Sequence, residues 1–358
     1  MSPFPADFRS DTVTAPTPAM RRAMAEAVVG DDVLDGDPTV AELEARGAEW
    51  LGKERALFVP SGTMANQLAL GVWTRPGDEV ICEAHCHILS YESGALGALH
   101  GVQSRTLEGH RGALDPDEVR AAIRPDFVHC PDTALITVEQ THMSAGGRVV
   151  PEANLAALRA VADEAGLRIH MDGARLAHAA VASARPVTDF TRHVDSVSLC
   201  LSKALGAPVG SLIAGSEDFA ERATFLRKRF GGWMRQSGVL AAAALLALDD
   251  REDEEHVGGL ATLPAAHALA QQVAARLDGE PGLICPPEEV ETNLVLCAVA
   301  AEEHPGGAPA LADALGAHGV GVMALGPDTL RFVTHRDLDG TALDRLDAAL
   351  TAILSPST

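Results

Sequence analysis

The chain has 358 residues, 47% of them hydrophobic, with 50 acidic against 28 basic side chains and a formal net charge of −22. That length outgrows one small core and suits two domains. The acidic balance argues against a nucleic-acid or anionic-membrane surface while leaving room for a local phosphate site, and no apolar run approaches the roughly 18 to 20 residues of a membrane span.

The six cysteines, at 82, 86, 130, 200, 285 and 297, have no framework rhythm. A cytoplasmic protein without disulfides is expected. The opening MSPFPADFRSDT has no basic stretch leading into an apolar one, so no secretory leader is expected. In chain order, an extended entry is followed by two helix starts of the same design, Thr17-Pro18 and Asp37-Pro38, each a capping side chain before a proline. The acidic loop GDDVLDGDP (30–38) lies between them. Asp31, Asp35, Gly36 and Glu42 partly imitate a calcium loop, but Val33 stands at a ligand position and Glu42 falls inside the second helix, so no calcium is expected there.

ALFVP (56–60) reads as a short buried strand, then SGT leads into the helix MANQLALGVW. EVICE (79–83) is the next strand. From its Cys82 onward, Cys82, His85, Cys86 and His87 lie within six residues, but no second ligand pair of zinc spacing follows, and no metal site is expected. ALITVE (134–139), a helix over 152–165, LRIHM, SVSLCLS and SLIAG (211–215) follow, and VLAAAALLAL (239–248) is a buried helix by its length. After the charged break REDEEH come a helix (264–277), the strand NLVLCAV, a Pro/Gly turn at 305–309, a helix, the strand TLRFVTH, a last helix and the tail SPST. Strands alternating with helices predict an α/β domain with a mainly parallel sheet over residues 13–250. A small α+β domain is expected over 251–358 together with 1–12.

Ligands bind beyond the carboxyl ends of the strands in such sheets. Ser61, Glu139, Asp172 and Lys203 all fall at or just after predicted strand ends, and that convergence matters more than any one of them. A lysine and a carboxylate there suit pyridoxal phosphate: the amine attacks the aldehyde and the carboxylate pairs with the pyridine nitrogen. Arg175, three residues after Asp172, suits the ring's phenolic oxygen. Ser61-Gly62-Thr63, between a strand and a helix, suits the phosphate, although S-G-T alone is most often a plain turn and cap. His87 and His142 follow strands two and three and face either the ring or a substrate hydroxyl. Arg331 ends a strand of the small domain and suits a substrate carboxylate.

The segments FRSDTVTAPTPAMR, VGDDVLDGDPTVAELE, LFVPSGTMANQLAL, HILSYESG, VEQTH, HMDGARL, SLCLSKALGAPVGSL, RKRFGGWMRQSG, ETNLVL and LRFVTH, from residue 8 to 335, resemble the low-specificity L-threonine aldolases of the type I pyridoxal-phosphate fold. The resemblance implies a large domain with a mainly parallel sheet of the seven-stranded type and a small C-terminal α+β domain. It implies Lys203 as the Schiff-base lysine, Asp172 at the pyridine nitrogen, Arg175 at the ring oxygen, and Ser61, Gly62 and Thr63 at the phosphate. His87 then stacks over the ring, Glu139 joins the cofactor site, His142 lies near the substrate hydroxyl, and Ser10 and Arg331 bind the substrate carboxylate. Lys228 and Arg235 fall in a segment that, in the family, reaches a neighbouring subunit's site, which implies a homotetramer. Leu34, Gln140 and Trp233 stand where the family has Tyr, Asn and Gly.

The expected reaction is retro-aldol cleavage of L-threonine or L-allo-threonine to glycine and acetaldehyde, with His87, His142 or a water as base. A β-eliminating lyase or an aminotransferase shares Lys203, Asp172 and Arg175 but removes a Cα proton instead. A cofactor-binding regulator would lack the lysine or add a DNA-binding module, and neither holds here.

Overall fold

The computed structural model describes residues 2–252 and 256–354. The tail SPST and the acidic centre of REDEEH lie outside the described residues. The chain divides into two compact units, Pro16–Ser202 with Ala207–Asp249, and Met1–Ala15 with Lys203–Gly206 and Asp250–Thr358. The first strand, β1 (Ala6–Asp7), belongs to the second, smaller unit.

In the large unit, α1 (Pro18–Glu26) and α2 (Pro38–Leu51) start as the sequence predicts. Thr17 accepts the Met20 N–H at 3.1 Å, and Asp37 accepts those of Thr39 and Val40. Then come β2 (Arg55–Val59), α3 (Gly62–Trp73), β3 (Glu79–Glu83), the short α4 (His87–Ser90) and α5 (Ala95–His100), β4 (Gln103–Leu107) and α6 (Pro116–Ala122). They are followed by β5 (Thr133–Glu139), α7 (Glu152–Ala165), β6 (Arg168–Asp172), α8 (Leu176–Ser183), α9 (Thr188–Thr191), β7 (Ser196–Cys200), β8 (Ser211–Gly215), α10 (Glu217–Arg229) and α11 (Gly238–Ala247).

Seven strands form one sheet in the order β2-β8-β7-β6-β5-β3-β4. β8 runs antiparallel to both its neighbours, and the other pairings are parallel. β3, β7 and β8 are buried along their whole length, and although β7 alternates Ser196, Val197, Ser198 and Leu199, its serines are buried as well. β4 escaped the sequence reading. Its residues Gln103 to Leu107 are polar and largely exposed at the sheet edge, so no apolar period marks them. α3 buries Leu68, Ala69 and Val72 against Leu57, Val59 and Ile213 of the sheet and Phe219 of α10. That packing fixes the start of α3 at the carboxyl edge.

The small unit continues with α12 (Leu263–Asp278), β9 (Leu283–Ile284), β10 (Leu294–Val299), α13 (Gly307–Ala317), β11 (Val320–Gly321), β12 (Met323–Ala324), β13 (Thr329–Val333) and α14 (Ala342–Leu354). β12-β13-β10-β9 is an antiparallel sheet, and β1 pairs in parallel with β11. Phe8 and Phe332 meet edge to face at 5.9 Å in its core, with Val295, Leu330 and Leu346. α13 begins inside the predicted Pro/Gly turn, because Gly306 (φ +89) turns the chain into it.

The Lys203–Gly206 turn is held within this unit through its main chain. Thr14 Oγ1 donates to Lys203 O at 2.8 Å, Gly206 N closes the turn on the same carbonyl, and the Arg336 guanidinium donates to Gly206 O at 3.3 Å and Ala15 O at 2.7 Å. Gly206 has φ +82, and a Cβ there would lie 2.2 Å from Arg336 Cζ, so only glycine fits. Among the described residues no helix is long and apolar enough to cross a membrane.

Candidate active site

Asp172 is the last residue of β6 and 2% exposed. A carboxylate that deep needs donors. Its Oδ2 accepts from Asn66 Nδ2 at 2.8 Å, and its Oδ1 accepts from Ala174 N at 3.0 Å and faces Ser198 Oγ at 3.4 Å. Ser198 is its register partner on β7. Asn66, on the buried face of α3, has its amide orientation fixed from both ends. Oδ1 accepts from Ser198 Oγ and faces His170 Nε2, each at 3.1 Å, while Nδ2 also reaches Glu92 Oε1 at 2.8 Å. His170 is fully buried, and burial pushes its pKa down to about 4. It is therefore neutral, with Nε2–H toward Asn66 and Nδ1 accepting from Ser196 at 3.0 Å, whose oxygen in turn accepts from Trp73 Nε1 at 2.9 Å.

His87 opens α4, where its backbone N–H donates to Glu139 Oε2 at 2.7 Å. Glu139 also accepts from Met143 N at 2.9 Å, so both its oxygens serve backbone amides. The His87 ring stacks on Tyr91, with Nδ1 3.1 Å from Glu92 Oε1 and 3.9 Å from Asp172 Oδ2.

His142 is buried and places Nε2 2.8 Å from Glu83 Oε2. Burial works against charge on both. For Glu83 the bond to His142, its field and the His85 N–H outweigh burial and hold the carboxyl below its ordinary range. For His142 the bond to Glu83 and the fields of Glu139, Glu83 and Asp172 hold the ring above its ordinary value. The Ala145 N–H faces Nδ1 at 3.3 Å and opposes a proton there. The shorter bond to the carboxylate is the stronger of the two, with Nε2–H donating to Glu83 and Nδ1 accepting the Ala145 N–H when the ring is neutral. Glu83→Gln removes the acceptor's charge and leaves burial opposed only by the fields of Glu139 and Asp172, so the His142 titration, followed by NMR, is expected to fall below its parent value. The stability lost in this variant should be greatest between about pH 4.5 and 6.5. Glu83's share is present above its unfolded pKa and fades as pH falls. His142's share is present below its unfolded pKa and fades as pH rises through its raised value.

At the start of α3, Ser61 Oγ accepts the Met64 N–H at 3.1 Å and Ser61 O the Ala65 N–H. The Gly62 and Thr63 amides are left at the open first turn. Ser211, opposite Val59 and Cys200 in the sheet, is fully buried, and its Oγ has no hydrogen-bond partner among the described residues. A Cβ built on Gly62 would sit 3.6 Å from that oxygen, so the orphaned hydroxyl faces the same helix start.

The large unit thus gathers Asp172, His87, Glu139, His142, Ser61, Gly62 and Thr63 at the carboxyl edge of the sheet. Arg175, also buried, starts α8 with its N–H on Gln140 O at 3.3 Å. Lys228 is exposed in the last turn of α10, whereas Arg235 lies 3.1 Å from Asp31 Oδ2 of its own chain. In the small unit Arg331, buried on β13, donates to Arg9 O at 2.9 Å, next to Ser10, whose Oγ accepts from Thr12. Lys203 is half-buried, five residues along the chain from Ser198. Sequence reasoning missed Asn66, Glu83, Glu92 and His170. Glu92 had a signal, standing five residues past His87 inside HILSYESG.

The sheet order, the small antiparallel unit and a buried carboxylate with a lysine one strand later define a fold type I α/β protein. The chain belongs to the beta-eliminating lyase family, which it matches over residues 7–301, and stands among the low-specificity L-threonine aldolases. It is 44% identical to low-specificity L-threonine aldolase 1 of Arabidopsis thaliana over 293 residues, 81% of this chain and 80% of that one. It is 38% identical to the low specificity L-threonine aldolase of Escherichia coli (strain K12) over 350 residues, 98% and 99% of the two chains. The structure of Leishmania major threonine aldolase has the same fold, with a TM-score of 0.77 at 20% identity over 97% of this chain and 99% of that one.

Proposed function

We propose that this chain is a pyridoxal-phosphate-dependent aldolase that cleaves the Cα–Cβ bond of L-threonine, L-allo-threonine and related L-3-hydroxy amino acids to glycine and an aldehyde. The observation that carries the reading is Asp172, a buried carboxylate ringed by donors, with an imidazole 3.9 Å away. The residues fit the cofactor. Asp172 would hold the pyridine nitrogen protonated and Lys203 would hold the cofactor covalently through its amine. The Gly62 and Thr63 amides, the Ser61 cap and the orphaned Ser211 hydroxyl would hold the phosphate. When bound, the cofactor supplies an electron sink for the pair released as Cα–Cβ breaks.

The chain's own residues supply the rest. Arg331 and Ser10 bind the substrate carboxylate and orient the scissile bond. His87 takes the hydroxyl proton, a role worth ~10²- to 10⁴-fold in rate. His142 spends Nε2 on Glu83 and is thereby held in place, its pKa raised by that bond and by the fields of Glu139, Glu83 and Asp172. Glu139 sets the start of α4 and so the place of His87. A homotetramer belongs to the same reading, supported by the exposure of Lys228, although Arg235 is engaged within its own chain.

Purified protein supplied with pyridoxal phosphate and L-allo-threonine is expected to release acetaldehyde and glycine in equal amounts, followed through an alcohol dehydrogenase couple. An α-keto acid with ammonia instead of aldehyde would overturn aldol cleavage in favour of β-elimination.

A further inference from the structure

Glu92 is buried, lies at no strand end and has no part in the chemistry above. Its two oxygens are nevertheless tightly placed. Oε1 accepts from Asn66 Nδ2 at 2.8 Å and lies 3.1 Å from His87 Nδ1, and Oε2 accepts from Gln67 Nε2 at 2.6 Å. The same Asn66 amide nitrogen donates to Asp172 Oδ2 at 2.8 Å. One side chain therefore joins the carboxylate assigned to the cofactor with a second carboxylate that faces the histidine assigned to the substrate.

We propose that Glu92 is a positioning residue that holds a proton on His87 Nδ1 and fixes the ring, so that His87 exchanges protons with the substrate hydroxyl at Nε2. The inference rests on the aldolase reading and adds to it the group that makes His87 a base. A carboxylate on one imidazole nitrogen sets the tautomer and stabilises the imidazolium that forms at the other. Asn66 Nδ2 and Gln67 Nε2 both donate to Glu92, so its oxygens are marked as acceptors and the proton between Oε1 and Nδ1 belongs on the ring when Glu92 is ionised. Burial first, then the charge of Asp172, push the Glu92 carboxyl above the usual range, while His87, Asn66 and Gln67 pull it back. The other titratable groups facing this corner are settled. Asp172 is held by donors, His170 is neutral, and Glu139 takes the His87 backbone N–H rather than its ring.

The test uses the purified full-length enzyme with histidine labelled in the ring nitrogens, His87 being assigned by its loss in His87→Gln. In the parent protein the neutral His87 ring should carry its proton on Nδ1 and titrate at Nε2. A ring protonated on Nε2 at high pH would overturn the proposal. Glu92→Gln keeps the reach and the acceptor but loses the charge. It should lower the proton affinity of His87 about tenfold, cut kcat for L-allo-threonine roughly ten- to a hundredfold and leave KM within about twofold. In a His87→Gln background the same substitution should cost nothing more, which a merely structural Glu92 would not reproduce. An unmoved His87 titration in folded Glu92→Gln sinks the proposal. If Glu92→Gln does not fold, the tautomer in the parent decides alone. Should the parent release no aldehyde, the aldolase reading fails, while the NMR result still decides whether Glu92 holds the Nδ1 proton.

Discussion

Lys203→Ala is expected to lower turnover of L-allo-threonine by on the order of 10⁴-fold or more, and to abolish the visible absorbance of covalently held cofactor. The loss should be chemical and not conformational. Within its unit Lys203 is held by its carbonyl, which takes Thr14 Oγ1 and Gly206 N, and Arg336 grips the next residues by their carbonyls. Alanine keeps all of these, so the thermal melting point should stay within a few degrees of the parent. Lys53 makes the contrast. Burial pushes its pKa down to about 8, the mark of an activated amine, yet Nζ donates to Thr191 O at 2.8 Å and Val194 O at 2.6 Å. A depressed lysine with both bonds spent on carbonyls is structural, and Lys203 is singled out by its position in the chain. Retention of more than about a tenth of parental activity in Lys203→Ala would exclude it as the covalent anchor.

The strands and the residues at their ends were legible because parallel strands buried on both faces write themselves as apolar runs, and the polar residue ending each run stands out. Asp172 and the SGT turn were visible for that reason. Asn66 was not. It sits in the apolar helix stretch MANQLALGVW, and its meaning comes from Glu92, His170, Asp172 and Ser198, which only the folded sheet brings to it. Glu83 read as the last residue of a strand, and nothing local announces that His142, 59 residues on, turns back to it. Two of the departures from the family pattern acquire reasons. Trp233 donates to Asp32 at 2.6 Å and carries the Arg227 guanidinium over its ring, tying the 231–235 segment to the acidic loop. Gln140 exchanges two hydrogen bonds with the backbone of Val150 at 2.9 Å each. Leu34 is exposed, and nothing in the structure explains it.

Asp172→Asn carries the second large effect, a fall in kcat of about 10³-fold or more together with weaker cofactor retention. Asparagine has nearly the same shape, so the cost arises from charge and from donor placement. Oδ1 accepts from Ala174 N and Oδ2 from Asn66 Nδ2. An amide at 172 must turn its NH₂ toward one of these donors. Asn66 cannot flip to relieve it, because its own Oδ1 is committed to Ser198 and His170. The site is built for a carboxylate, and the variant should also lose about 1–3 kcal/mol of stability for the unpaired buried donor, measurable by chemical denaturation. His170 sharpens the point. Being neutral, it offers Asn66 a hydrogen bond without itself adding a countercharge beside Asp172. If Asp172→Asn keeps parental kcat while losing stability, the carboxylate is an architectural anchor for α3, and the cofactor's ring nitrogen must find its partner elsewhere.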